Sequence, residues 1–125
     1  IGDGESEGEH PLALAQAKGY DRAGAGGPGG CVGAREEEAR EWEITMQIER
    51  SGETVFEGSV SVNQIKRSFG ELSAAMFQSQ MFPFGCALLT GTGIVPEDDF
   101  TLEEGDTIRI EISGIGCLEN SVVRV

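Results

Sequence analysis

The sequence predicts a β-rich α+β fold, with mostly antiparallel strands around one main helix. Three observations lead to this prediction. Apolar and polar residues alternate at Ile44–Ile48 and again at Ile108–Ile112, which is the period of half-buried strands. Between these stretches, Ser68 and Glu71 have the spacing of a helix capping box.

Order is predicted to begin at Glu43. The first strand follows at once, a turn lies at Ser51-Gly52, and the second strand holds Val55, Phe56, Val60 and Val62. The residues after the capping box place Phe69, Leu72, Ala75 and Met76 on one helical face. We therefore expect a helix of about three turns over residues 69–80, ended by Pro83.

The remaining chain predicts three more strands. A buried strand is expected over Phe84–Thr90, leading into Gly91-Thr92-Gly93. Turns at Gly105-Asp106 and at Gly114-Ile115-Gly116 flank the strand Ile108–Ile112, and a last strand covers Leu118–Val125. Four residues are expected to serve only as core: Met46, Ile108, Ile110 and Leu118.

Residues 1–42 form a Gly- and Glu-rich segment, distinct from the β-rich core expected over residues 43–125. Ten of the 19 glycines precede Arg35, and such chain is costly to order, so we expect a loop there. The charged run Arg35–Glu41 is interpreted as a solvated loop or a helical turn.

The net charge of −13 excludes whole classes of partner. Nucleic-acid phosphates and anionic membrane surfaces are both bound through Lys and Arg, of which the 125 residues contain only nine, so we expect neither partner. Few lysines and many acids suit either a salt-adapted cytoplasm or an ordinary acidic protein. Residues 72–96 carry no charge but are too polar and broken for a membrane span.

The cysteines are three in number and far apart, at Cys31, Cys86 and Cys117. We expect them to be reduced thiols in or near the core of a cytoplasmic protein. The chain shows no cationic start followed by an apolar run, so no signal peptide is expected.

The second half carries a specific pattern of motifs. Leu88–Pro96 reads LLTGTGIVP, and it precedes Glu104-Gly105-Asp106 and the segment Gly114–Asn120, which reads GIGCLEN. This order closely resembles the end of fumarylacetoacetate hydrolase-family enzymes. TGTGIVP, with Arg67 and Glu71-Leu72 upstream, is most similar to the branch of 2-keto-3-deoxy-pentonate (arabinonate or xylonate) dehydratases.

The first segment resembles the same branch. Glu7–Leu12 reads EGEHPL, where the branch has EGENPL, and it is followed by Gln16-Ala17-Lys18 and Tyr20-Asp21. The resemblance therefore covers nearly the whole chain. It implies part of a β-sandwich roll, the C-terminal portion of a catalytic domain that forms homodimers in the cytoplasm.

The resemblance also implies a chemistry. Family members bind a small 2-keto acid or 1,3-dicarbonyl through Mg²⁺, which prefers oxygen ligands and withdraws electron density from the keto oxygen. Lys18 matches the lysine that favours the developing enolate, and Thr92 matches the threonine that contacts the substrate carboxylate. Glu7 and His10 match residues that line the pocket. Lys18 and Thr92 should therefore converge on one pocket.

The metal ligands are only partly represented. The family's Glu-x-Glu pair lies upstream of the matched region, and its ligand Asp falls either one residue before Ile1 or at Asp3. The Glu-Glu-Glu run after Arg35 is in the wrong place for that pair, and Asp98 and Asp99 are expected to face solvent.

Three functions are consistent with these features. The first is the C-terminal portion of a dehydratase of 2-keto-3-deoxy sugar acids. The second is another family activity, such as that of an acylpyruvate hydrolase or a hydroxymuconate isomerase. The third is a truncated, non-catalytic remnant that serves as a structural or interaction module.

Overall fold

A single antiparallel sheet dominates the structure, a computed structural model that describes residue 21 and residues 24–27, 29–91 and 93–125. Within them, four strands are paired in the order β2-β1-β3-β4: β1 (Glu43–Arg50), β2 (Glu53–Ser61), β3 (Thr107–Ile112) and β4 (Gly116–Ser121). The described part of the chain also contains helices α1 (Glu36–Arg40) and α2 (Phe69–Phe77) and a 3₁₀ turn (Val62–Gln64). The predicted β-rich α+β class is confirmed.

The β1–β2 hairpin is closed by the predicted turn. Ser51 and Gly52 both have left-handed backbone angles, with φ of 53° and 84°. A two-residue turn of this hand matches the natural twist of paired strands. The register shifts between Ile48 and Glu49, so β2 carries one extra residue near the turn.

One face of the sheet holds the core. Met46, Ile48, Val60 and Ile108 are buried there, and Ile94 packs on them from the connection between α2 and β3. Gly58 permits this approach, because a Cβ at that position would lie 2.9 Å from Ile94 Cγ2. Met46 and Ile108 are core residues as predicted, whereas the other two predicted core residues, Ile110 and Leu118, are half-buried.

The opposite face is polar and is joined by charge pairs across the strands. Arg109 on β3 lies 2.6 Å from Glu119 on β4 and 3.6 Å from Glu49 on β1. The hydrogen bond to Glu119 is the main cause of a raised pKa of Arg109. The alternation of apolar and charged residues in β1 and β3 thus places apolar side chains on one face and charged side chains on the other.

A charged cluster holds the chain that enters β3. The Asp106 side chain is 1% exposed and accepts from Arg50 Nε at 2.9 Å, from Arg50 Nη2 at 2.8 Å and from the Glu103 N–H at 2.9 Å. Arg50 also donates to the Thr101 carbonyl and to the Glu103 carboxylate. The Arg50 hydrogen bond lowers the pKa of Asp106 although burial acts to raise it. The cluster fastens residues 101–106 to the end of β1.

Three element boundaries differ from the prediction. Helix α2 ends at Phe77 rather than near residue 80, because residues 78–80 are Gln-Ser-Gln and offer no apolar side chain to continue its half-buried face. Strand β4 ends at Ser121, which pairs with the first residue of β3, Thr107. Val62 is buried, but it begins the 3₁₀ turn instead of extending β2.

The predicted buried strand at Phe84–Thr90 is wrong for the described chain. These residues are irregular and exposed, with the Phe84 and Leu89 side chains almost completely uncovered. An apolar run becomes a buried strand only where a neighbour pairs with its backbone and another layer covers it. No strand among the described residues pairs with it.

Two further expectations were tested. The three cysteines are free, but all are exposed, so their expected position in or near the core is wrong. No helix in the described ranges is long and apolar enough to cross a membrane.

Candidate functional site

A groove of about 370 Å³ lies where β1 begins and β2 ends. Its floor is aliphatic. One wall comes from the 3₁₀ turn and the residues after it, and the other comes from Gly91 and Gly93, which we call the glycine turn. The lining residues are Ile44, Val60, Ser61, Val62, Gln64, Ile65, Lys66, Arg67, Leu72, Thr90, Gly91 and Gly93. Its volume lies within the range of about 300–1,000 Å³ that is usual for small-molecule sites.

The first wall contains Gly91 and Gly93, and the structure gives a physical reason for glycine at both positions. Gly91 has φ of 81°, a left-handed conformation that side chains rarely adopt. Gly93 presses on the end of β2, because a Cβ there would lie 3.1 Å from Val60 Cγ2. Thr92 itself lies outside the described residues, but the residues on both sides of it line the groove.

The second wall, residues 65–67, is braced by α1. Arg40 donates from Nη1 to the Ile65 carbonyl at 2.9 Å and from Nη2 to the Arg67 carbonyl at 2.8 Å. Glu36 holds Arg40 through its Nε at 2.9 Å and also accepts from the Phe69 N–H at 3.1 Å. The Arg40 hydrogen bond is the main cause of a lowered pKa of Glu36. Part of the predicted charged run therefore fixes the groove wall and the start of α2.

Helix α2 is set in place by the predicted capping box, which is confirmed. The Ser68 hydroxyl accepts from the Glu71 N–H at 3.1 Å, and the Glu71 carboxylate accepts from the Ser68 N–H at 2.8 Å. These bonds to Ser68, with a smaller contribution from the charge of Arg67, lower the pKa of Glu71. The cap directs the chain so that Leu72 reaches the groove.

The groove is cationic in a strongly acidic chain. Lys66 and Arg67 line it, and among the described residues that line it there is no Asp or Glu. Arg40, Arg50 and Arg109 are each in salt bridges, whereas within the described ranges Lys66 and Arg67 are in none. Sequence reasoning did not assign Lys66 to a site, although Lys66-Arg67 is the only adjacent pair of cations in the sequence.

The predicted site residues Asp3, Glu7, His10, Lys18 and Thr92 all lie outside the described residues. The expected convergence of Lys18 and Thr92 therefore stays a prediction. Elsewhere in the chain, the loop pair Asp98 and Asp99 is exposed, as predicted. The described part of the chain contains no group of three or more His, Cys, Asp or Glu that could hold a metal ion.

Comparison with known proteins identifies the family. The family model described as Fumarylacetoacetate (FAA) hydrolase C-terminal matches residues 5–123. The chain belongs to this family. The fumarylacetoacetate hydrolase resemblance drawn from LLTGTGIVP, the Glu104–Asp106 turn and the GIGCLEN segment is thereby confirmed.

Two curated relatives are both named as dehydratases of 3-deoxy sugar acids. The chain is 44% identical over 121 residues to a probable 2-keto-3-deoxyxylonate dehydratase of Haloferax volcanii, an alignment that covers 95% of this chain and 41% of that protein. It is 38% identical over 112 residues to the 2-dehydro-3-deoxy-D-arabinonate dehydratase of Saccharolobus solfataricus, covering 90% and 38%. The chain thus spans about two fifths of the length of these relatives.

Solved structures of dehydratases have the same fold over the matched region. A hexagonal crystal form of 2-keto-3-deoxyarabinonate dehydratase superposes with a TM-score of 0.89 at 36% identity, over 95% of this chain and 41% of that one. A 2-keto-3-deoxy-D-arabinonate dehydratase complexed with magnesium and 2,5-dioxopentanoate gives a TM-score of 0.87 at 36% identity, over 93% and 41%. The sheet, the helices and the glycine turn are therefore arranged as in part of a dehydratase.

Proposed function

We propose that this chain supplies the C-terminal portion of a Mg²⁺-dependent enzyme of the fumarylacetoacetate hydrolase family that dehydrates a 2-keto-3-deoxy sugar acid in the cytoplasm. The single observation that carries the proposal is the 44% identity to the Haloferax volcanii relative across 95% of the chain. The groove beside the Gly91–Gly93 turn supports it, since it has the size and charge for a small organic anion.

The proposed reaction removes one water molecule from a five-carbon 2-keto-3-deoxy acid. A proton leaves C3, the hydroxyl group leaves C4, and tautomerisation of the product gives an aldehyde at C5, which is 2,5-dioxopentanoate. That compound is the one bound in the magnesium complex of the dehydratase at 36% identity. The substrate class is therefore a small 2-keto acid.

Each predicted site residue has a role in this proposal. Lys18 stabilises the enolate that forms when the C3 proton leaves, because a cation near developing negative charge lowers the barrier. Thr92 binds the substrate carboxylate at the glycine turn, and Glu7 and His10 line the pocket. These residues bind and orient the substrate.

The role of Mg²⁺ in this proposal is supported by the dehydratase structure that was solved as a complex with magnesium. When bound, the ion polarises the keto oxygen and so acidifies the adjacent carbon. The described residues provide no cluster of ligands for it. In the complete family domain Asp3 would be one of three carboxylate ligands, with the family's Glu-x-Glu pair, which lies upstream of the region matched by this chain.

We also propose that the protein forms a homodimer. Apolar side chains are left uncovered on the segment after α2, including Met81, Phe84 and Leu89. Large apolar side chains that are exposed close together in the chain are candidates for a protein interface. Light scattering coupled to size exclusion should give twice the chain mass, and replacing Phe84 and Leu89 by Ser should give the monomer mass. A monomer in the unaltered chain would contradict the proposal.

A chimera tests the function. This chain replaces the matched 41% of the Haloferax volcanii relative, and the product is assayed with Mg²⁺ for conversion of 2-keto-3-deoxyxylonate to 2,5-dioxopentanoate by NMR. We expect turnover that is lost when Mg²⁺ is chelated and that falls by about 10²–10³-fold in Lys18→Ala. A folded chimera that binds Mg²⁺ without turnover would instead favour the structural or interaction module.

A further inference from the structure

Lys66 and Arg67 lie where a small anion could be held against the groove. The rest of the molecule repels anions, because the formal charge is −13. The described part of the groove is locally opposite in sign, since two cations and no carboxylate of the described residues line it. A carboxylate that enters would therefore find its favourable electrostatic contacts on this wall.

The wall is preorganised rather than free to rearrange. The Ile65 and Arg67 carbonyls are both fixed by the Arg40 guanidinium, which also stacks on the Phe69 ring at 5.2 Å. Glu36 compensates the charge of Arg40 through a salt bridge of 2.8 Å. Among the described residues of the groove, the cations left for a ligand are therefore Lys66 and Arg67, on a backbone that loses little entropy on binding.

The facing wall adds a different kind of contact. Gly91 and Gly93 carry no side chain, so a ligand can approach their backbone closely. Val60 and Leu72 provide an apolar surface between the two walls. This arrangement suits a short molecule with a charged end and an apolar or weakly polar body.

We infer that Lys66 and Arg67 form the carboxylate-binding wall of this groove and determine its preference for 2-keto acids over neutral carbonyl compounds. The inference rests on the proposed function, and it adds two residues to the glycine turn as determinants of substrate binding. Both act through charge.

Binding of a stable probe to the full chain without metal tests the inference. The probe is 2-oxopentanoate, a five-carbon 2-keto acid, titrated into ¹⁵N-labelled protein with EDTA at constant ionic strength. We expect a Kd of about 1–10 mM, with amide shifts concentrated at residues 65–67, Gly91 and Gly93. The neutral ketone 2-pentanone should bind at least tenfold more weakly.

Charge-matched variants isolate the two cations. Lys66→Ala/Arg67→Ala should raise the Kd at least tenfold. Arg35→Ala/Arg124→Ala removes the same charge at exposed residues that do not line the groove, and it should change the Kd less than twofold. The amide spectrum of each variant shows whether it is folded.

Three results would overturn the inference: equal Kd values in the two double variants, equal binding of ketone and keto acid, or shifts away from the groove. Because the assay needs neither Mg²⁺ nor turnover, it separates the two proposals. If the chimera is inactive but this chain binds 2-oxopentanoate in a way that depends on Lys66, only the proposed dehydratase function is contradicted. If the chimera is active and its KM is unchanged by Lys66→Ala/Arg67→Ala, only the proposed carboxylate binding by Lys66 and Arg67 is contradicted.

Discussion

Replacing Asp106 by Asn removes one charge from the most buried polar side chain in the described residues and keeps its shape. The carboxylate now accepts two hydrogen bonds from Arg50, at 2.9 and 2.8 Å, and one from the Glu103 N–H. In the variant, one of the two oxygens becomes an NH₂ group. That group faces a donor of Arg50 or of Glu103, so at least one hydrogen bond is lost and two donors meet.

The expected cost follows from burial. Breaking a buried ion pair by removing one partner costs about 3–5 kcal/mol. Arg50 is 28% exposed and water can partly solvate its guanidinium, so we expect the lower end, about 3 kcal/mol. For a domain of this size that loss lowers Tm by about 10 °C.

The assay is urea unfolding of the 125-residue chain followed by circular dichroism, with Asp99→Asn as control. Asp99 is exposed, so the same chemical change there should cost less than about 0.5 kcal/mol. If Asp106→Asn and Asp99→Asn unfold at the same urea concentration, the argument from the buried carboxylate is wrong.

The pH dependence gives a second test of the same cluster. The folded-state pKa of Asp106 lies below its ordinary value of 3.8, so the carboxylate stabilises the fold above about pH 4. This contribution is lost as pH falls through the lowered folded-state pKa. The difference in unfolding free energy between the wild type and Asp106→Asn should therefore be largest near neutral pH and shrink below pH 4. A difference independent of pH down to 2 would assign the effect to shape rather than charge.

Four further predictions follow from the same structure. Gly114→Ala should destabilise the fold by about 1–3 kcal/mol and shift the emission of the sole tryptophan, because the new Cβ would overlap the Trp42 ring at Cε2; an unchanged spectrum would contradict this. Ile48→Ala, at a residue 1% exposed, should cost about 2–5 kcal/mol in urea unfolding, whereas Ile115→Ala on the surface should cost far less. The urea midpoint should rise between 0.1 and 1 M KCl, since salt screens repulsion within a chain of charge −13. The purified 125-residue chain should not turn over 2-keto-3-deoxyxylonate with Mg²⁺, because a single carboxylate cannot replace the hydration of the ion; measurable product would refute this.

Local patterns in the sequence were sufficient for most of the fold. The alternation in β1 and β3, the Ser51-Gly52 turn and the Ser68–Glu71 capping box each depend on residues close in the chain, and each is confirmed. The motifs after Leu88 were sufficient for the family. The specific site residues Asp3, Glu7, His10, Lys18 and Thr92 remain predictions.

Only the tertiary structure decided the pairing of β1 with β3 and the composition of the groove. Arg50 meets Asp106, and Arg40 meets the carbonyls of residues 65 and 67, across separations of 56, 25 and 27 residues. No local pattern encodes such contacts, because they depend on how the sheet folds the chain back on itself. The same reason explains the error at Phe84–Thr90: an apolar run shows that a strand could be buried, but only the presence of a covering neighbour decides whether it is.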